Sequence, residues 1–440
     1  MIQALDRWLR PPAASYRLPR RTGSRGIMLI LVLWIVTILT IMAYSVIYQI
    51  TLETRITSTR KKTLEAKNLA RAGLARGFAD LRNDLIFDFS EDGDETPPFD
   101  ALGDVWADPE QGKVDIEMGN GTYTVEIQDV NRLLNLNNFN PSNRILLQKI
   151  IEQIGYEEEE AIVTAAAIID YADVDEAPST DSPTDNEAYT YGGLIAEAEG
   201  GIVRESEIQP VILPNEPYLS VDALLEVYGV TPELFFGPES EEAEFYAEEL
   251  GYRWGDRFEM RSRRRSRFDG PPVGLRDFFT VQGNARTNIN TAPRHVIQAL
   301  LEAAGATDGD RLAESFIKDR PGGGRGRLDN DNALKSIQEA QASRTIGAYV
   351  GPMSSLHPLD VRSNFFKLTS TGTVGQVRQT LTVTVRRQLE DIRRDEDFET
   401  LDRAREREER LDSRRERWED EDNENLIRIP TIRVVSWFDE

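Results

Sequence analysis

The chain has 440 residues, with 76 acids against 52 bases, a net charge of −24 and no cysteine. So acidic a surface repels phosphates, which disfavours nucleic acid and anionic lipid as partners. The missing thiols exclude disulfides, cysteine-ligated zinc and thiol catalysis, and the length allows two or three packed units beyond any membrane segment.

Six arginines (Arg7, Arg10, Arg17, Arg20, Arg21, Arg25) and one acid, Asp6, precede Gly26. Residues 27–47 then carry no charge, proline or glycine, and the next charged residue after Arg25 is Glu53. A helix rises about 1.5 Å per residue, so about 20 residues cross a hydrocarbon core of ~30 Å. The arginines place the N-terminal side in the cytoplasm. A cleaved secretory signal would have a shorter apolar core and a small-x-small site. An ordinary signal-anchor fits the length. A third reading fits the junction: a basic leader ending in Gly26, then Ile27 opening a long apolar helix, resembles the processing site of type IV pilins and pseudopilins. It implies cleavage between Gly26 and Ile27 and methylation of Ile27 by a prepilin peptidase. Most of that family has Glu at the fifth mature position; here it is Leu31. The absent Glu and the length together resemble the K-type minor pseudopilins of type II (general) secretion systems.

In chain order, the apolar helix is expected to continue unbroken to about residue 85, with Leu74, Phe78, Leu81 and Leu85 on one face. Gly73 and Gly77 cost helicity but permit close packing. Residues 88–112 read as a loop. Alternation predicts a strand over residues 122–130 and three late ones over 365–373, 379–387 and 431–438, with a turn at Gly375. One early strand and three late ones imply that the middle is inserted into a sheet domain.

The middle holds a repeat. Leu134-Asn135-Leu136-Asn137-Asn138-Phe139-Asn140-Pro141 leads into a helix lined by Ile145, Ile150 and Ile151 that stops at Gly155. Thr287-Asn288-Ile289-Asn290-Thr291-Ala292-Pro293 leads into one lined by Val296, Ile297, Leu300 and Leu301 that stops at Gly305. The plain meaning is two copies of one helical unit. Residues 390–424 hold 17 acids and nine arginines and read as a solvated helix or disordered loop. The arginine cluster at residues 261–267 follows the acidic stretch 239–249, and internal charge pairing or a solvated loop accounts for it.

The richest polar constellation is Asp170-Tyr171-Ala172-Asp173-Val174-Asp175-Glu176, followed by Asp181, Asp185, Asn186 and Glu187. From the residues alone it is either a solvated acidic loop or a site for a hard cation, which takes six to eight oxygens. The spacing is not an EF-hand. Only His295 and His357 exist, and neither a zinc-protease nor a nucleophile-elbow motif is present, so no enzyme is expected.

The resemblance to K-type pseudopilins implies an α+β fold: a long N-terminal transmembrane and stem helix packed on a small antiparallel pilin-like sheet. A large, mostly helical inserted domain would contain two SAM-like or helix-hairpin-helix-like units. The implied domains are a cleaved leader at 1–26, a membrane helix at 27–47, and the stem with first strand at 48–137. The insertion spans 138–360, with repeated units at about 138–235 and 285–350, and the remaining strands at 361–440 enclose the charged segment 390–424. The resemblance further implies calcium at Asp170, Asp173, Asp175, Asp185 and Glu187. It implies a structural role at the tip of a periplasmic pseudopilus, with I and J minor pseudopilins, prepilin peptidase and secreted proteins as partners. The chain would sit in the inner membrane with its C-terminal domain periplasmic. The rival reading, a membrane-anchored helix-hairpin-helix DNA receptor of the competence type, has the same repeats behind it. Against it stand Glu157, Glu158, Glu159 and Glu160 in the first hairpin and Asp308 and Asp310 in the second, where phosphate would lie.

Overall fold

The computed structural model describes residues 24–90, 99–108, 113–180, 185–198, 208–249, 272–320, 332–393 and 426–439. The leader through residue 23, the 261–267 cluster, Asp181 and most of the charged segment lie outside the described residues. The chain divides into two units, Met1–Leu64 and Glu65–Glu440.

Helix α1 (Ser24–Ser90) is longer at both ends than its apolar pattern predicts. In the first unit the side chains from Ile27 to Ile50 are exposed, and the hydroxyls of Thr37 and Thr40 each donate to the carbonyl four residues back, at 2.7 Å. The stretch is long and apolar enough to cross a membrane, and such back-bonding satisfies a hydroxyl where no water reaches it.

In the second unit, Ala66, Ala70, Leu74 and Leu81 of α1 are buried at helical spacing. They pack on an antiparallel sheet of order β1-β2-β7-β8-β9. Its strands are β1 (Ile116–Met118), β2 (Gly121–Asp129), β7 (Phe365–Val374), β8 (Val377–Arg393) and β9 (Leu426–Asp439). Val125, Ile127, Phe366, Leu368, Leu381, Val383 and Val385 form its inner face, with Trp106 edge-on to Phe366. Helix and sheet touch closely: a Cβ on Gly372 would collide with the Ala66 carbonyl oxygen, and one on Gly73 with the Ser370 hydroxyl. The turn at Gly375 takes φ +63°, as a tight hairpin requires. β8 runs to Arg393, so the charged segment expected from residue 390 begins inside a strand. β1, three residues long, carries too little alternation to be seen in the sequence.

β2 pairs directly with β7, Val125 opposite Ser370. Residues 130–364 therefore leave and re-enter the sheet between adjacent strands. Within them lie β3 (Leu134–Asn135), α2 (Arg144–Ile154), α3 (Glu158–Asp170), α4 (Glu187–Ala198), α5 (Pro232–Phe236), α6 (Glu241–Glu249) and β4 (Phe279–Thr280). There follow β5 (Thr287–Asn288), α7 (Arg294–Ala303), α8 (Gly309–Asp319), α9 (Ile337–Ala342), α10 (Gly347–Leu356) and β6 (Leu359–Asp360). The hairpins α2–α3 and α7–α8 turn at Gly155 (φ +132°) and Gly305 (φ +93°).

The repeat is stricter than its sequence. Asn135 accepts from the Asn137 N–H at 3.0 Å, and Asn288 from the Asn290 N–H at 2.9 Å. The second Asn of each motif then grips a distant backbone with both ends of its amide. Asn137 bonds the N–H and C=O of Tyr218 at 2.7 and 3.0 Å, and Asn290 those of Leu334 at 3.0 and 2.9 Å. Two residues on, Ser220 and Ser336 each cap the next helical turn. Each copy closes on a two-residue parallel pair, β3 with β4 and β5 with β6. The structural copies thus reach beyond residues 138–235 and 285–350, to the strands that open and close them.

Candidate metal centre

Asp170 closes α3 and Glu187 opens α4, so the loop between them returns on itself; the Glu187 N–H donates to the Glu176 carbonyl at 3.1 Å. This brings oxygens of Asp170, Asp173 and Glu187 within 4.8 Å of one another. Asp170 is buried and accepts from the Ser179 N–H (3.1 and 3.0 Å) and the Tyr191 hydroxyl (2.6 Å). Oδ1 of Asp173 and Oε1 of Glu187 are buried without a hydrogen-bond partner. Burial first, then the neighbouring carboxylates, pushes Glu187 up to about 8 and Asp173 to about 6, and burial also raises Asp170.

Of the five expected ligands, the fold gathers these three. Asp175 is exposed on the same loop, its carboxylate accepting from the Ala177 N–H at 2.9 Å, and acts on the trio through its charge. Asp185 is exposed and does not join the trio. Sequence reasoning missed Ser179 and Tyr191, which orient Asp170, and Asn215. The last stands at φ +50°, donates to the Asp175 carbonyl at 3.1 Å and leaves its own Oδ1 buried and unpartnered. An asparagine flanked by Pro214 and Pro217 is a turn signal, and that was the one available cue.

A second trio provides the contrast. Asp84, Asp100 and Asp104, all buried, also converge. Here Arg387 enters, bonding Asp84 at 2.7 Å and Asp100, and standing over the Phe366 ring. Asp104 takes the Ala101 N–H at 2.8 Å and the Trp106 indole at 3.0 Å. That trio has its cation built in. Among the described residues no Lys or Arg pairs with Asp170, Asp173 or Glu187. Clustered carboxylates with oxygens left unpartnered and no counter-charge among the described residues are the donor set a hard cation takes.

The remaining candidates are dispersed. Gly26 falls within α1, and Ile27 and Leu31 are exposed on it. His295 bonds the Asp277 carbonyl at 2.9 Å and packs on Phe278; His357 is buried near Phe139, and burial lowers it to about 4. In the hairpin turns Glu158 and Glu159 are exposed, and Asp310 pairs with Arg294 at 2.5 Å.

The fold is α+β and pilin-like: an apolar N-terminal helix whose later turns pack on an antiparallel sheet. No family model and no curated protein sequence matches the chain. Among solved structures it is similar to the GspK-GspI-GspJ complex of the type 2 secretion system of enterotoxigenic Escherichia coli. The identity is 16% and the TM-score 0.45, over 76% of this chain and 94% of that one.

Proposed function

We propose that this chain is a minor pseudopilin of a type II secretion system, of the K kind, seated at the tip of a periplasmic pseudopilus. The observation that carries the reading is the insertion of residues 130–364 between the adjacent strands β2 and β7 of a stem-and-sheet framework. A filament shaft packs such frameworks side by side; an insertion of that bulk suits its end. Leu31 supports the same place. In a shaft, an acid at that position would neutralise the amine of a neighbour's first residue, and a leucine leaves that charge unmatched. Prepilin peptidase would cut after Gly26 and methylate Ile27. The mature helix would anchor in the inner membrane with the rest of the chain periplasmic, where it meets the I and J pseudopilins and secreted proteins.

Asp170, Asp173 and Glu187 would hold Ca²⁺, with Asp175 adding charge. The ion would neutralise a buried acidic turn and so fix the first repeat, a structural rather than catalytic role.

The test is full-length chain co-expressed with I and J pseudopilins and prepilin peptidase. We expect mature chain starting at Ile27, by mass spectrometry, and a detergent-stable 1:1:1 complex; Gly26→Ala should retain the leader. Normal processing of Gly26→Ala, or a chain that purifies alone, would overturn the reading.

A further inference from the structure

β2 has two edges in different states. Its β7 side is paired from Thr122 to Asp129. On the other side β1 covers only Gly121, Thr122 and Tyr123, and one further bond, Val125 N–H to the Lys113 carbonyl at 2.8 Å, extends the pairing. Backbone alternation turns the N–H and C=O of Ile127 and the N–H of Asp129 to that same side, while the Asp129 carbonyl opens the short helical turn Val130–Arg132. Among the described residues no backbone group meets them.

They open into a slot of about 370 Å³. All six residues 124–129 line it, from both faces of the strand, which places the slot along the strand's edge. Leu102, Trp106, Ala107 and Lys113 form the facing wall, and Arg132 stands at the end beside Thr291. Lys113 is spent on the Val105 carbonyl. Arg132 is not: its Nε is buried without a partner, and it forms no ion pair among the described residues. The carboxylates whose charges act on it are Asp129, Asp277 and Glu126. Asp129 is held by Thr291, Ser363 and the Asn131 N–H, Asp277 by the Gly274 N–H, and Glu126 is exposed. Arg320, more than nine-tenths buried, stands close enough for its charge to repel that of Arg132. Among the described residues its one hydrogen bond is to the Ile289 carbonyl at 3.2 Å, and its Nε is also unpartnered. Two neighbouring guanidiniums, one half-buried and one buried, without an ion pair among the described residues, are the complement of an incoming anion.

We propose that the outer edge of β2 is a docking site for an extended acidic segment of a different polypeptide. The segment adds as a strand along residues 127–129, beyond the Lys113 bond to Val125, and sets an Asp or Glu side chain against Arg132. Backbone pairing supplies the affinity and the guanidinium the selection, as in other strand additions. Apolar side chains of the segment face Leu102, Trp106 and Ala107. The site stands whether or not the chain belongs to a pseudopilus.

The test uses the full chain in detergent and fluorescein-labelled, acetylated hexapeptides that alternate Val or Ile with Thr and carry one Glu at each position in turn. Anisotropy should find one Glu position that binds best. Glu to Gln in that peptide should weaken it about tenfold, the worth of one charge-assisted bond. N-methylation of alternate peptide nitrogens should abolish binding. On Arg132→Gln protein the Glu and Gln peptides should bind alike. The proposal is overturned if no peptide binds at millimolar concentration, if N-methylated peptides bind undiminished, or if wild-type protein treats Glu and Gln alike. Self-association that Arg132→Gln abolishes would assign the slot to a second copy and overturn it equally.

Discussion

Arg387 sits nearly midway along a strand and is almost wholly buried, with Asp84, Asp100, the Leu81 carbonyl and the Ser363 carbonyl around its guanidinium. It ties α1, the segment after it, β8 and the returning end of the insertion to one side chain. Removing one member of a buried pair leaves the other charge uncompensated, which costs about 3–5 kcal/mol. We expect Arg387→Met to lose stability of that order in urea titrations; a loss below about 1 kcal/mol would remove Arg387 from this role. Its partners are in excess. Burial and the charges of Asp104 and Asp100 outweigh Arg387 and hold Asp84 up to about 8, against 3.8 when free. The folded chain therefore keeps a proton that the unfolded chain has released. Asp84 stabilises most below its unfolded value and that stability is lost as pH rises through about 8. Asp84→Asn should flatten the fall between pH 4 and 8; an unchanged slope in denaturation at both pH values would refute the assignment.

The repeated elements depend on two amides. Asn137 and Asn290 each satisfy one part-buried N–H and one C=O of a segment far along the chain. Asn290→Ala orphans both groups of Leu334, at about 1–3 kcal/mol each. Asn290→Asp keeps the acceptor and loses the donor, so it should fall between wild type and Ala in chemical denaturation; equal losses would exclude the two-ended grip. Half of this design was legible. The Asn-x-Asn turns, the helices after them and their glycine stops are local, and the sequence shows them. The gripped residues are not, because Tyr218 lies 81 residues beyond Asn137 and Leu334 only 44 beyond Asn290, so no fixed period links the copies. The strands show the same division. β2 and β7 alternate cleanly and were readable, whereas the far end of β8 carries the charges of Glu390, Asp391 and Arg393 and looks like a loop. Arg387 itself ends an apparent strand among other arginines, and nothing local marks it as buried. At the acidic turn, composition drew attention to the loop where three carboxylates converge, but only folding separates Glu187, which turns inward, from Asp185, which does not.

Across the molecule, the two carboxylate trios differ in where their counter-charge comes from, and the proposed cation would put folding under a second control. The one at Arg387 brings its own cation and needs none from solution. The one at Asp170, Asp173 and Glu187 leaves two oxygens unbonded and its members' charges mutually repelled. A cation bound there, as proposed, would add stability by mass action, about 4 kcal/mol at a thousandfold excess over its dissociation constant. That stability should be local. The trio fixes the end of α3, the start of α4 and, through Asp175, the turn at Asn215, while the sheet has no part in it. Hydrogen exchange with and without Ca²⁺ should therefore differ across residues 158–198 and 213–217, and agree across residues 365–388. Glu187→Gln should bring the calcium-loaded pattern to the calcium-free one without altering the sheet, since the glutamine keeps the shape and gives up the charge. Protection that rises equally everywhere would mean that the ion acts on global stability alone. Protection that does not move at millimolar Ca²⁺ would return the acidic turn to a solvated loop. The second repeat has the same hairpin and the same amide grip but contributes no residue to the trio of Asp170, Asp173 and Glu187, so it serves as the internal control: its exchange should follow the sheet, not the first repeat.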